Sequence, residues 1–373
     1  MRRSFTLSPL LAALVSVSAQ AALTVSTSVS PSPISYPTID PQLGETYYPN
    51  EQATAATIAN EIDQSIRRQY AAGHALRDAH PKAHGCVKAE FNILPTLPPR
   101  LTHGVFVPGK SYQAWIRFSN GDPDATRSDH KGDVRGMAIK LLGVSGSKLL
   151  EDEASAQTQD FILINHPNFF NNDPARYLKL IHDTNGGFFS KLLIPFALGF
   201  KGSLIAAQAT SSHISNPLQT RYWSTVPYQL GIGTDRLAVK YSARACSAAV
   251  DPMPDDPSPN YLRSAMKNTL SKTDACMEFL VQPRTSPDMA VEDSMTEWTE
   301  DKAPFYPVAT IHIAQQDFDT PAQNQMCENL SYTPWHALPE HRPLGVTNRM
   351  RKIIYDRISR TRHEINAAPR QEP

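Results

Sequence analysis

The chain has 373 residues, and its 36 Lys and Arg are balanced by 36 Asp and Glu. That length accommodates one large domain or two ordinary ones. Zero net charge and the lack of a basic tail leave no field to recruit nucleic acid.

Residues 1–21 read as a secretory signal. Arg2 and Arg3 form the charged start, Leu7 to Val17 the short apolar centre, and Ala19-Gln-Ala21 a small-x-small cleavage site. The stretch is too short for a lasting membrane span, so cleavage near Ala21 and a periplasmic or secreted location are expected. Residues 22–49 are rich in Ser, Thr and Pro, as in Ser28-Val-Ser-Pro31-Ser-Pro33, and read as a linker or surface arm. A helix is predicted after Asn50, a capping residue, because Ile58, Ile62, Ile66 and Tyr70 recur every four residues on one face.

Next comes Arg77-Asp-Ala-His80-Pro-Lys82-Ala-His84-Gly85. His80 and His84 have the spacing of a helical metal pair, but Pro81 interrupts a continuous helix there and no acidic partner stands at fixed spacing. The middle of the chain is strand-rich. Tyr112, Ala114, Ile116 and Phe118 alternate with Gln113, Trp115, Arg117 and Ser119, so Arg117 and Ser119 leave the same face of one strand. Further strands are predicted over 136–144, 161–165, 238–241, 277–282 and 308–314. This pattern is α+β, and many antiparallel strands with added helices suggest a barrel. The apolar run Leu192 to Phe200 is too short to span a bilayer; it reads either as a core helix or as a segment facing lipid. Cys86, Cys246, Cys276 and Cys327 permit two disulfides in an exported protein, with Cys246–Cys276 preferred because both lie in strand-like runs. No Cys-x-x-Cys, His-Glu-x-x-His, Gly-x-Gly-x-x-Gly or Gly-x-Ser-x-Gly occurs.

The last informative segment is Arg351-Lys-Ile-Ile-Tyr355-Asp-Arg-Ile-Ser-Arg360-Thr-Arg362. On a helix, positions four apart share a face, so Arg351 can lie against Tyr355. A free phenol titrates near pH 10, and holding it as phenolate at pH 7 costs about 4 kcal/mol. A neighbouring guanidinium supplies part of that and a bound ferric iron would supply the rest; tyrosinate is an axial ligand of haem iron. Alone, the segment also fits a solvated basic helix.

Together these segments resemble the catalase family. The stretch from Arg77 to Gly85 matches its distal R-x-x-H-x-K-x-x-G form, and Arg351 to Arg362 its proximal R-x-x-x-Y-x-x-x-x-R-x-R form. Arg117-Phe-Ser119 and Asp133-Val-Arg135-Gly136-Met-Ala138-Ile-Lys140 look like the RFS and D-x-RG-x-A-x-K pair between them. The resemblance implies an antiparallel eight-stranded barrel with added helices over residues 50–365, a tail at 366–373, and haem b buried between barrel and helices. It implies His80 as acid/base, Ser119 orienting it, and Tyr355 as iron ligand with Arg351 beside it. Arg77, Arg117 and either Arg360 or Arg362 would pair the haem propionates. The implied activity is reduction of hydrogen peroxide or organic hydroperoxides through a ferryl intermediate, with an unnamed reducing co-substrate. Two alternatives stay open: rearrangement or isomerisation of fatty acid hydroperoxides, and a non-catalytic haem carrier or sensor.

The chain departs from the family in places. Registering on Pro167, the asparagine that stands beside the distal histidine falls at Gln157 or Thr158, and an expected phenylalanine pair at Ile162-Leu163. The residue before the histidine is the small Ala79. Long terminal extensions of large catalases are lacking, and Glu328 to Trp335 followed by Pro343-Leu-Gly345 suits the small, catalase-related peroxidase branch.

Overall fold

A computed structural model describes residues 34–186, 188–370 and 372–373, so the predicted signal segment lies outside the described residues. In chain order the elements are α1 (Glu51–Gln69), β1 (Ala83–Ile93), β2 (Ser111–Asn120), β3 (Arg135–Leu142), β4 (Thr158–Ile164), α2 (Pro174–Asn185), α3 (Phe188–Lys191) and α4 (Ile194–Thr210). Then follow β5 (Tyr222–Trp223), β6 (Tyr228–Leu230), β7 (Leu237–Ala245), α5 (Tyr261–Leu270), β8 (Ala275–Pro283), β9 (Tyr306–Ile313), α6 (Pro321–Asn329) and α7 (Gly345–Ile365).

The strands run β5-β4-β3-β2-β1-β9-β8-β7, and β5 also pairs with β7. The ring therefore closes: an eight-stranded antiparallel barrel, with β6 an extra strand on β7. Closure removes the unpaired edges that an open sheet of this size would expose. Alternation fills it. In β1, Val87, Ala89, Phe91 and Ile93 are buried while Lys88 and Glu90 are exposed. The interior is an aromatic core in which Phe161 sits 4.8 Å from Phe279 and 5.0 Å from Tyr241 by ring centroid.

A helical layer covers one side. The Ile58, Ile62 and Ile66 stripe of α1 packs on Val346, Met350 and Ile354 of α7. Arg349 anchors this layer. It is fully buried, and it bonds Glu51 of α1 at 2.7 Å, Glu292 at 2.8 Å and Glu45 at 3.0 Å. The same carboxylates take the first amides of α7: Glu45 accepts from Gly345 N and Glu292 from Val346 N. Side chains thus satisfy donors that a helix start leaves orphaned, and their charge suits its positive end. Residues 34–49 form a packed arm rather than a loose linker, since Glu45 is buried and Tyr36 bonds Glu51.

Two disulfides are present. Cys246–Cys276 joins the residue just after β7 to β8, as preferred from the sequence, and Cys86–Cys327 joins β1 to α6. The apolar run at 192–200 is not a core helix: it opens α4 and leaves Phe196 and Phe200 exposed.

Candidate active site

Between the outer face of β2–β4 and the helical layer lies a cavity of about 480 Å³, within the roughly 300–1,000 Å³ typical of small-molecule sites. Strand alternation builds one wall. Ile116 and Phe118 point into the barrel, so Arg117 and Ser119 point out toward the cavity. Ala79, His80, Gly136, Ala138, Ile162 and Ile164 complete that wall. Ile62 of α1, Tyr177 of α2 and Met350, Tyr355 and Ile358 of α7 face them.

His80 sits on the loop before β1 with a left-handed backbone, φ 61°. A non-glycine residue held there costs on the order of 1–3 kcal/mol and persists only where its surroundings demand it. The surroundings here are specific. Arg117 Nη2 donates to the His80 carbonyl at 2.9 Å, and Ser119 Oγ lies 3.1 Å from Nδ1. Nε2 has no protein partner among the described residues. Burial, then the charges of Arg117, Arg351 and Arg77, push the imidazole down to about 4. His80 is therefore neutral at pH 7. Gly136, on β3 opposite Ser119, makes room for it: a Cβ there would lie 2.6 Å from His80 Nδ1 and 2.7 Å from Ser119 Oγ.

On the opposite wall α7 presents Tyr355. The Arg351 guanidinium lies 5.9 Å from its ring centroid and 5.3 Å from that of Phe169, as the four-residue spacing predicts. Arg351 Nη1 also donates to Asn348 Oδ1 at 3.3 Å. The Tyr355 hydroxyl has no hydrogen-bond partner among the described residues. Tyr177 beside it has its phenol raised by burial, with Tyr355 and Asp78 adding to the shift.

At the cavity edge Arg77, Arg117 and Arg362 converge on Glu328. Arg77 donates to its carboxylate and, at 2.7 Å, to the Leu330 carbonyl. Arg362 donates to the Glu328 carbonyl, and its guanidinium lies 3.8 Å from the Glu328 carboxylate; Arg117 lies 3.9 Å from the same carboxylate. Burial works against the Glu328 charge, but the three arginines together hold its carboxyl below the usual range. Arg117 and Arg362 are pushed down to about 9, by burial and then by Arg77. Three guanidiniums face one carboxylate, so the cluster retains two uncompensated positive charges. Arg360 is not part of it. It is not among the cavity-lining residues and pairs instead with Asp356 at 2.8 Å and with Asp152.

The position inferred for the distal amide is wrong. Thr158 pairs with Leu142, at the end of β4 remote from Ile164, which pairs with Gly136 beside His80. Six strand residues span about 20 Å. Thr158 Oγ1 donates instead to Glu372 and Gln157 to the Ser155 carbonyl. The cavity is bordered by Ile162, Ile164 and, on the following loop, Asn168. The aromatic pair there is Phe169 and Phe170, stacked 4.4 Å apart, in addition to the aliphatic Ile162 and Leu163. His84 is no metal partner for His80: its Nε2 bonds Asn120 at 2.8 Å inside a buried network with Asp129 and Arg135. Reading the sequence missed Glu328 as the counter-ion and Gly136 as the space for His80. Both stand inside the quoted motifs, but nothing local signals either role.

No family model matches the sequence, and no curated protein matches it. Solved structures do. A fungal catalase superposes with TM-score 0.63 at 16% identity, over 82% of this chain and 64% of that one. Catalase A from Saccharomyces cerevisiae gives 0.59 at 18%, over 81% and 64%. A bacterial catalase gives 0.55 at 16%, over 92% and 67%. The closed barrel with its helical layer is the catalase-type fold. The chain spans about two thirds of the length of the catalases it matches.

Proposed function

We propose that this protein is a haem-dependent oxidoreductase that reduces hydrogen peroxide or an organic hydroperoxide. The observation that carries the reading is one cavity with a neutral, serine-held imidazole on one wall and an arginine-flanked tyrosine on the other. The donor set fits haem b. Two uncompensated positive charges among Arg77, Arg117, Arg362 and Glu328 match two propionates, and bidentate geometry favours arginine for that task. The Tyr355 hydroxyl, without a hydrogen-bond partner among the described residues, would hold the iron.

When bound, haem would supply the two electrons that cleave the peroxide bond. The chain's own residues would handle the protons. In the tautomer that donates Nδ1–H to Ser119, His80 Nε2 carries its lone pair and is free to act as base. It would take the proton from the near oxygen of the peroxide and return it to the far oxygen, which leaves as water or an alcohol. A low imidazole pKa keeps the base ready at neutral pH. A reducing co-substrate would close a peroxidase cycle, and a second peroxide a catalase cycle. The predicted signal at residues 1–21 and the two disulfides support an exported protein, because disulfides persist in oxidising compartments.

The test is the absorption spectrum of the haem-supplemented protein beside Tyr355→Phe, followed by peroxide addition. A high-spin ferric spectrum of tyrosinate type that changes in the variant supports the reading. Oxygen release then indicates catalase action, and donor-dependent turnover peroxidase action. Failure to bind haem, or an unchanged spectrum in the variant, sinks it.

A further inference from the structure

Of the ten large apolar side chains exposed among the described residues, five fall between Leu192 and Leu204. Phe196 is 78% exposed and Phe200 89%; Leu192, Leu193 and Leu204 are 56%, 44% and 50% exposed. These are not the residue of an amphipathic pattern set the wrong way round. The opposite side of α4 is apolar too: Ala197 and Leu198 pack with Leu180 against Phe170 and Tyr177, and Ile205 and Ala209 are also buried. The seat is close, since a Cβ at Gly202 would lie 2.7 Å from the Phe170 carbonyl. A helix apolar on every side is normally enclosed by protein or lipid. This one is enclosed on one side only.

Charge says what would cover the other side. From Thr184 to Thr234 the chain carries no Asp or Glu. Three cations border the exposed stripe. Lys191 precedes it and Lys201 follows Phe200, both exposed. The exposed Arg176 reaches over from α2 to the kink between the two phenylalanines: a Cβ at Gly199 would lie 2.7 Å from its Nη1. Lys201 bonds Thr296 at 2.7 Å and stands 3.8 Å from Asp293. Two copies joined through this face by a two-fold axis would oppose the same cations to one another. An anionic lipid surface would not.

We propose that α4 docks on an anionic bilayer. Phe196, Phe200 and their leucine neighbours would enter the boundary between headgroups and acyl chains, and Arg176, Lys191 and Lys201 would meet lipid phosphates. The helix lies in the surface and does not cross it. No helix among the described residues is long and apolar enough to span a membrane. The far end of α4 belongs to the cavity wall, where Ala209 and Thr210 line it. Docking therefore sets the cavity beside the bilayer, in position for apolar molecules that partition there. The inference stands whether or not the cavity holds haem.

The test is cosedimentation of the full chain, disulfides intact, with vesicles of equimolar phosphatidylglycerol and phosphatidylcholine, and with phosphatidylcholine alone. The wild type should sediment with the anionic vesicles, less with the neutral ones, and less as salt rises. Phe196→Ser/Phe200→Ser should weaken binding by about ten-fold or more with an unchanged thermal melt, because neither ring is buried. Phe200→Trp should show blue-shifted emission on adding anionic vesicles. Equal binding by the double variant, or no vesicle binding by the wild type, overturns the proposal. So does a dimer that the double variant dissolves while vesicles leave the wild type in solution; that result assigns the face to a second copy.

Discussion

Gly136 and His80 approach so closely that a methyl group on the glycine would lie 2.6 Å from the histidine Nδ1. The same methyl would crowd Ser119 Oγ at 2.7 Å. Gly136→Ala must therefore displace the imidazole from the serine. Overpacking of this kind typically costs about 1–3 kcal/mol. The variant should fold, with a lowered melting temperature. If His80 is the proton carrier, its reaction with peroxide in stopped flow should slow by roughly 10²–10⁴-fold, the usual value of a positioned acid/base. An unchanged rate would mean that the His80–Ser119 contact does not matter to the chemistry.

Arg360 and Arg362 are two residues apart on α7 but serve different surroundings. Arg362 faces Glu328 at the cavity edge, whereas Arg360 pairs with Asp152 and Asp356 away from it. Arg362→Met should weaken haem binding by about ten-fold or more, the value of a lost charge-assisted bond of 1.5–3 kcal/mol. Arg360→Met should leave haem affinity within error. Titration of the two apoproteins with haem, followed by absorbance, separates them. Equal losses would place the propionates elsewhere.

Acid should destabilise this protein well above the range where carboxylates titrate. His84 and His341 are buried, and burial pushes each down to about 3; His80 and His363 are pushed to about 4. An unfolded histidine takes its proton near 6.5. As pH falls below 6.5 the unfolded chain gains protons that the folded one refuses, so stability drops until the folded values are reached near 3 to 4. Asp78, raised to about 6 by burial, acts in the opposite sense between its folded and unfolded values, and Asp133 and Asp356, also raised by burial, act with it; they offset the four histidines only in part. Urea unfolding of the apoprotein should show stability lower by several kcal/mol at pH 5 than at pH 7, about 2 kcal/mol for each such histidine less what the raised carboxyls return. A flat profile over that interval would contradict the neutral state of these histidines in the folded protein.

The two disulfides close loops of very different length. Cys86 and Cys327 are 241 residues apart, Cys246 and Cys276 only 30. On chain entropy the longer loop constrains the unfolded state by about 2 kcal/mol more. Cys86–Cys327 also fixes α6, whose final carbonyls receive Arg77 and Arg362. Cys86→Ser/Cys327→Ser should lower the melting temperature more than Cys246→Ser/Cys276→Ser, and it alone should weaken haem binding. The reverse order of melting temperatures would show that strain or residual structure outweighs loop length here.

Arg349 sits among Glu45, Glu51 and Glu292 with no exposure to solvent. Arg349→Met would leave three carboxylates without their shared cation. Removing one partner of a buried ion cluster costs about 3–5 kcal/mol. Because this cluster ties α7 to α1 and to the arm at 34–49, limited proteolysis should cut near residues 34–49 sooner in the variant. An unaltered digestion pattern would show that the arm is held by its other contacts.

Local pattern carried much of this protein. The four-residue recurrence of Ile58, Ile62 and Ile66 marks the buried face of α1, and the spacing of Arg351 and Tyr355 places them together on α7. Alternation puts Arg117 and Ser119 on one face of β2. Each follows from a fixed repeat of 3.6 or 2 residues, which the chain obeys before any tertiary contact forms. The alternation of Val87, Ala89, Phe91 and Ile93 marks β1 in the same way, although its first residues also belong to the stretch from Arg77 to Gly85.

What tertiary structure alone decided was which distant groups meet. Counting back from Pro167 put the distal amide at Gln157 or Thr158, whereas the β3–β4 register sets Ile164, not Thr158, opposite Gly136. Register depends on how two strands slide past each other, and a repeat of two residues is satisfied by many offsets. The choice of Arg362 over Arg360, the role of Glu328 among three arginines, and the uncovered side of α4 have the same origin. Each depends on a neighbour far away in the chain, and residue periodicity describes only the face a side chain leaves, not what waits there.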